Sequence, residues 1–210
     1  TAIGFTATIT DGDGDQAAQN FTVNLDTPPT IQGVAITGAN GDYQNNYAKA
    51  GDVIDLTVTF DKAVTVTGTP ELALVIGNNT VEAAYDHTGA DGKTLVFTYT
   101  ILPDQTDTDG IGIPQDALTL NGGTIKDATT GVDASLTSAL VADNPVFMVD
   151  TTAPAQPTIA IVAIDDVINA AEQAATVTIT GTTDAGTTVT VDGNAAAVSG
   201  TTWSYTLTST

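Results

Sequence analysis

Side chains along this chain alternate between apolar and polar with a period of two, in one segment after another. That period belongs to β-strands, whose successive side chains point to opposite faces of a sheet. Phe5, Ala7 and Ile9 fall on one face, with Thr6, Thr8 and Thr10 on the other. Phe21, Val23 and Leu25 repeat the pattern, and Ile54, Leu56, Val58 and Phe60 do so against Asp55, Thr57 and Thr59. Leu95, Phe97 and Tyr99 follow suit, as do Trp203, Tyr205 and Leu207. Threonine is the usual outward residue, and its branched Cβ suits an exposed strand face. No stripe at helical spacing develops; residues 165–175 (DDVINAAEQAA) offer one turn at most. Short strands recurring between turn residues predict an all-β chain built of antiparallel β-sandwiches.

Charge narrows what such a chain can do. Its 210 residues hold 25 Asp+Glu against 4 Lys+Arg, a formal net charge of -21. The basic residues are all lysines: Lys49, Lys62, Lys93 and Lys126. Nucleic-acid binding is excluded as an expectation, because phosphate affinity comes from cationic side chains that release counterions. Anionic membrane surfaces are excluded for the same reason. No apolar run approaches the roughly 18 residues that would suggest membrane insertion. Cysteine is absent, which removes disulfides and thiolate chemistry, and His87 is the single imidazole, read as an exposed turn residue. Hydrophobic residues make up 41% of the chain, enough for a folded core. Paired carboxylates can cleave glycosidic bonds, but here they sit in loops rather than an aromatic cleft. No enzyme is expected.

Two proline-containing stretches divide the chain, residues 26–30 (DTPPT) and 150–158 (DTTAPAQPT). Each follows an alternating strand that ends in Asp and precedes another strand, the form of a stiff domain junction. The expected organisation is a closing hairpin at 1–26, a complete sandwich at 27–151 and the opening part of another domain at 152–210. With strand-like segments at both ends, and no initiator methionine or signal-peptide pattern, the chain reads as an excerpt of a longer polypeptide.

The run GDVIDLTVTFDKAVTVTGTPELALVIGN from Gly51, with DTDGIGIPQDALTLNGGTIKDATTG, resembles the Ig-like repeats of giant, calcium-dependent bacterial surface adhesins of the RTX and biofilm-associated type. The stretch beginning TAPAQPTIAIVAIDDVINAAEQAA is similar to a second, shorter bacterial Ig-like repeat, and ATITDGDGDQAAQNFTVNL to a closing hairpin in the same proteins. The resemblance implies tandem Ig-like antiparallel β-sandwiches, one complete and two partial. It further implies export to the bacterial cell surface, arrayed neighbouring repeats as partners, and bound Ca²⁺ near the junctions. A structural stalk is the expected function. The alternative is an adhesive module binding a host or biofilm glycan or protein through long loops at 38–52 and 102–116.

The acidic loops reach calcium independently, since Ca²⁺ takes six to eight oxygen ligands in flexible geometry. Asp11, Asp13 and Asp15 alternate with glycine, which lets three carboxylates converge; a solvated acidic turn is the alternative. The loop is no EF-hand, because Thr22 stands where the twelfth-position Glu would be. In a seven-stranded sandwich the loops holding Asp42 and Asp52, and Asp104, Asp107 and Asp109, share the end at which Asp150 exits. Asp184 of the next domain faces back toward them. Crowded carboxylates without basic partners repel or take up protons unless a cation intervenes. Asp26 and Asp61 form a sparser set. For the loop at 165–172, the resemblance implies Asp166, Asn169 and Glu172 as ligands. Trp203 keeps the inward register of a core residue, and Tyr43 and Tyr47 are expected to pack over the sandwich end.

Overall fold

Alternation becomes pairing wherever one face can be covered. The computed structural model describes residues 2–41, 43, 45–162, 167–169, 171 and 177–207. They fall into two compact units, Thr1–Thr152 and Ala153–Thr210. The first unit begins with a hairpin, β1 (Ala2–Thr10) and β2 (Gln16–Asn24), in unbroken register from Ala2↔Asn24 to Thr10↔Gln16. Eleven strands follow: β3 (Ile31–Asn40), β4 (Tyr47–Ala48), β5 (Val53–Phe60), β6 (Val64–Thr67), β7 (Glu71–Ile76), β8 (Asn79–Thr88), β9 (Thr94–Thr100), β10 (Thr106–Asp107), β11 (Leu118–Thr119), β12 (Thr124–Asp127) and β13 (Met148–Asp150).

One layer is a six-stranded antiparallel sheet in the order β11-β7-β8-β9-β5-β3. The other comprises the sheet β10-β13-β4 and the pair β12-β6, with β13 and β4 parallel. The alternation in β5 buries Ile54, Leu56, Val58 and Phe60 to 1% exposure or less. Leu72, Leu74 and Ile76 of β7 and Leu95 and Phe97 of β9 join them. Val149 and Ile125 of the second layer, with Ile101, Ile111 and Ile113 from the segments between strands, complete the same core. Each such side chain contributes about 1.5–3 kcal/mol relative to leaving it in water.

The hairpin lacks that cover. Phe5 is 46% exposed, Ile9 74% and Phe21 50%. What holds it is the ladder itself, the stacked Phe5–Phe21 pair (centroids 5.2 Å apart, planes at 15°) and a bond from Thr6 Oγ1 to Asn20 Oδ1. A lone two-stranded hairpin is marginally stable at best.

Direction along the sandwich matters for the site. β3 starts beside Phe60 and runs to the end marked by Val53. At that end Ile101 N–H bonds to the Asp52 carbonyl, and Thr106 pairs with Asp150. Ile31 and Asp150 therefore stand at opposite ends.

The second unit holds β14 (Val177–Thr182), β15 (Thr190–Val191), β16 (Asn194–Ala195), β17 (Ala197–Ser199) and β18 (Thr202–Leu207). Its main sheet is β14-β18-β17. The segment at 158–160 joins the free edge of β14 through Thr158 N–H to Thr182 O and Ala160 N–H to Thr180 O. Trp203 is buried, as its register predicts, and its Nε1–H donates to the Thr158 carbonyl at 3.1 Å. Gly181 permits this approach: a Cβ there would collide with the Thr158 carbonyl and the Trp203 indole nitrogen. Most of the segment expected to form a helical turn, 165–175, lies outside the described residues. Among those described, no helix is long and apolar enough to cross a membrane.

Candidate metal centre

The turn between β1 and β2 gathers three carboxylates. Asp11, Asp13 and Asp15 each offer an oxygen within 4.8 Å of the other two. Local hydrogen bonds shape the turn: Asp11 N–H donates to Asp15 O, and Asp11 Oδ1 accepts from the Asp13 and Asp15 N–H groups at 3.3 and 3.0 Å. Gly14, at φ 98°, supplies the left-handed residue that closes it. A side-chain hydrogen bond with Asp13 is the main cause holding Asp11 below the ordinary carboxylate pKa; nearby N–H groups assist, against some desolvation. Such sharing marks carboxylates pressed together.

The spacing fits a divalent ion. Calcium binds oxygens at about 2.3–2.6 Å, so two ligands of one ion lie no more than about 5 Å apart. Asp11, Asp13 and Asp15 would hold the ion, with water completing its shell in so exposed a turn.

At the Val53 end the acidic residues meet less simply. The Thr106↔Asp150 pairing brings the 102–110 loop beside Asp150, as the sequence order requires. Asp107, 2% exposed, turns inward and is consumed by main-chain donors. Its Oδ2 accepts from Gly77 N–H at 2.7 Å, and its Oδ1 from Gly110 at 2.7 Å and Asp109 at 3.3 Å. Asp52, also 2% exposed, accepts from Lys49 N–H at 2.9 Å and lies against Gly41. Asp104, Asp109 and Asp150 stay exposed, and Asp150 Oδ1 caps Thr152 N–H. Among the described residues of this unit, only the Asp11 turn brings three acidic or imidazole ligands within 4.8 Å. Asp42, Asp166 and Glu172 lie outside the described residues. In the second unit Asp184 Oδ2 accepts from Ala155 N–H at 2.7 Å, and Asn169 Oδ1 accepts from Ala171 N–H.

Asp26 shares an ammonium group with Asp127, while Asp61 bonds to the main chain of Thr30. Lys62 Nζ sits 3.2 Å from Asp26 Oδ1 and 3.4 Å from Asp127 Oδ2, and also donates to the Thr27 carbonyl. Desolvation opposes the charge on Lys62, yet hydrogen bonds and charges from Asp26 and Asp127 outweigh it and raise its pKa. Asp26 is held low by the Thr130 hydroxyl first and by Lys62 after it, against desolvation. Asp61 is held low chiefly by the Thr30 N–H, which it accepts at 2.8 Å. Sequence reasoning paired Asp26 with Asp61 but missed Lys62 and the 7%-exposed Asp127. The available signal was Lys62 directly after Asp61, together with the turn-forming Asp127-Ala-Thr-Thr-Gly131.

The remaining aromatic and imidazole candidates differ: Tyr43 packs as expected and Tyr47 does not. Tyr43 packs on Phe147, with ring centroids 6.0 Å apart, while Tyr47 is 40% exposed. His87 is exposed and lies 2.9 Å from Asp86 Oδ2, though at a bulge in β8 rather than in a turn, because Thr88 still pairs with Leu95.

No protein-family model and no curated protein matches the chain. In structure it is similar to a Ca²⁺-stabilized adhesin that helps an Antarctic bacterium reach out and bind ice, with a TM-score of 0.40 and 21% sequence identity. The match covers 99% of this chain and 48% of that one, so the chain spans about half its length.

Proposed function

We propose that this chain is a stalk segment of a bacterial cell-surface adhesin. Its tandem Ig-like domains lie outside the cell, pack against neighbouring repeats and are stiffened by Ca²⁺ at acidic loops. The observation that carries the reading is the Asp11–Asp13–Asp15 turn, whose oxygens stand at the spacing one calcium ion demands. The resemblance of the 51–131 run to adhesin repeats and the two proline-containing junctions that begin Asp-Thr support it. Asp104, Asp109 and Asp150 are further ligands proposed for the first unit, and Asp184, with Asp166, Asn169 and Glu172 of the loop at 165–172, for the second. Asp52 and Asp107 serve that end by fixing its loops. The chain has no proposed catalytic role.

Calcium would act by linkage. An ion that binds the ordered turn and not the disordered one adds about 2.7 kcal/mol at one hundred times its Kd. Titration calorimetry on the whole chain and on a D11N/D13N/D15N variant tests the turn: the variant should lose one class of bound Ca²⁺. Equal stoichiometry and affinity in both would remove the turn from the reading. Small-angle scattering tests the stalk, which should grow more extended with millimolar Ca²⁺ than with chelator. Identical dimensions in both would leave calcium without a mechanical role.

A further inference from the structure

The edge of the six-stranded sheet is open along β3 for a physical reason. The segment after Ala134 starts to pair there: Ser135 N–H donates to the Pro29 carbonyl, and Thr30 and Ser135 form a parallel bridge. It then leaves. Ser138 exchanges bonds with Asp116, its N–H reaching Asp116 Oδ1 at 2.9 Å, and Val141 pairs with Ile113. A ladder has begun and been abandoned, so among the described residues β3 keeps β5 as its one ladder partner. Between the parted segments lies a groove of about 540 Å³, lined by Ile31 to Val34 on one side and residues 137–141 on the other.

Five observations say what fits it. Register shifts at Ile31/Gly33 and Ile36/Gly38 leave the four residues Gly33 to Ile36 as a regular stretch. At about 3.3 Å per residue, that offers roughly 13 Å of strand. Ser138 lines the groove, is 8% exposed and has an Oγ with no hydrogen-bond partner. Such an orphaned hydroxyl costs stability until something bonds it. Beside it Leu140 is 65% exposed. Neither β3 (IQGVAITGAN) nor residues 137–141 (TSALV) carries the charge or proline that usually blunts a free edge. The field around them is that of a chain with net charge -21, which attracts cationic segments and repels anionic ones.

We propose that the outer edge of β3 is a strand-addition site for an extended peptide segment of net positive charge. The segment lies between β3 and residues 137–141, pairs its backbone with Gly33 to Ile36, and gives the Ser138 hydroxyl a partner while covering Leu140. Main-chain pairing supplies affinity, and flanking cations supply orientation and on-rate. The site uses neither long loop nor any calcium ligand, so it stands or falls apart from the stalk reading.

The test titrates the intact chain, in the presence of chelator, with the peptide KTVTVTVK. Nuclear magnetic resonance follows the amides of residues 31–36 and 137–141. Those amides should shift together, and the ETVTVTVE counterpart should bind at least about tenfold more weakly at low salt. N-methylation of alternate amides should abolish binding. The surface variant L140D should weaken it, and S138A should weaken it by about fivefold, the effect of one hydrogen bond. Shifts centred elsewhere, no shift at millimolar peptide, or undiminished binding of the N-methylated peptide would each overturn the proposal. So would self-association through these residues without peptide, which assigns the edge to a second copy.

Discussion

At the residue scale, identical aspartates do different work according to what their oxygens meet. Asp107 is the clearest case: three main-chain N–H groups converge on a buried carboxylate. Replacing it with Ala orphans those donors at once, and about 2–5 kcal/mol of stability should be lost. Denaturant unfolding of D107A with and without Ca²⁺ should give the same deficit; a loss seen only with calcium would make Asp107 a ligand instead. Its counterpart across the turn is Gly77, whose φ of 57° and closeness to the Thr106 carbonyl leave no room for a Cβ. Asp61, Asp91 and Asp127 are held below the ordinary value of 3.8, chiefly by N–H donors from Thr30, Lys93 and Thr129 respectively. Groups with depressed folded pKa values contribute stability that is fully present above the unfolded value and lost as pH falls through the folded ones. Thermal melts should therefore agree between pH 7 and pH 5 and drop steeply below 3.8. An unchanged midpoint at pH 3 would contradict the assigned bonds.

At the element scale, the chain's strands were legible in proportion to how much of their environment is local. β5 shows its buried face in four alternating apolar residues, and the structure buries all four. β10 and β13 show almost nothing, because two- and three-residue strands exist only through pairing across 42 or more positions, as Thr106 with Asp150. That distant pairing, invisible in the string DTDG, turns Asp107 inward and leaves Asp109 outside. The Asp11 turn is legible because all three of its carboxylates lie within five residues of one loop. Lys62 was not, since its oxygens come from β12, from the linker and from the end of the hairpin segment. The ammonium holds the linker where a metal was the natural guess. K62M should speed amide exchange at Thr30 and Asp61 and increase protease cutting near residues 24–30, equally with calcium or chelator. Exchange rates unmoved by the substitution would reduce the Lys62 contacts to ornament.

For the whole molecule, a net charge of -21 on 210 residues means self-repulsion opposes folding wherever carboxylates lack partners. Monovalent salt should raise the melting temperature by screening, and millimolar Ca²⁺ should raise it further at matched ionic strength. If the two salts proved equivalent, nothing beyond screening would be at work. The first unit also has a directional property. Its sandwich starts at β3 beside Phe60 and ends at Asp150, at the far end. A tug on those two points pulls along the strands, so the hydrogen bonds between β3 and β5 must slide and break together rather than unzip in turn. Resistance to towing is thus written into the path of the chain, before any ion is added.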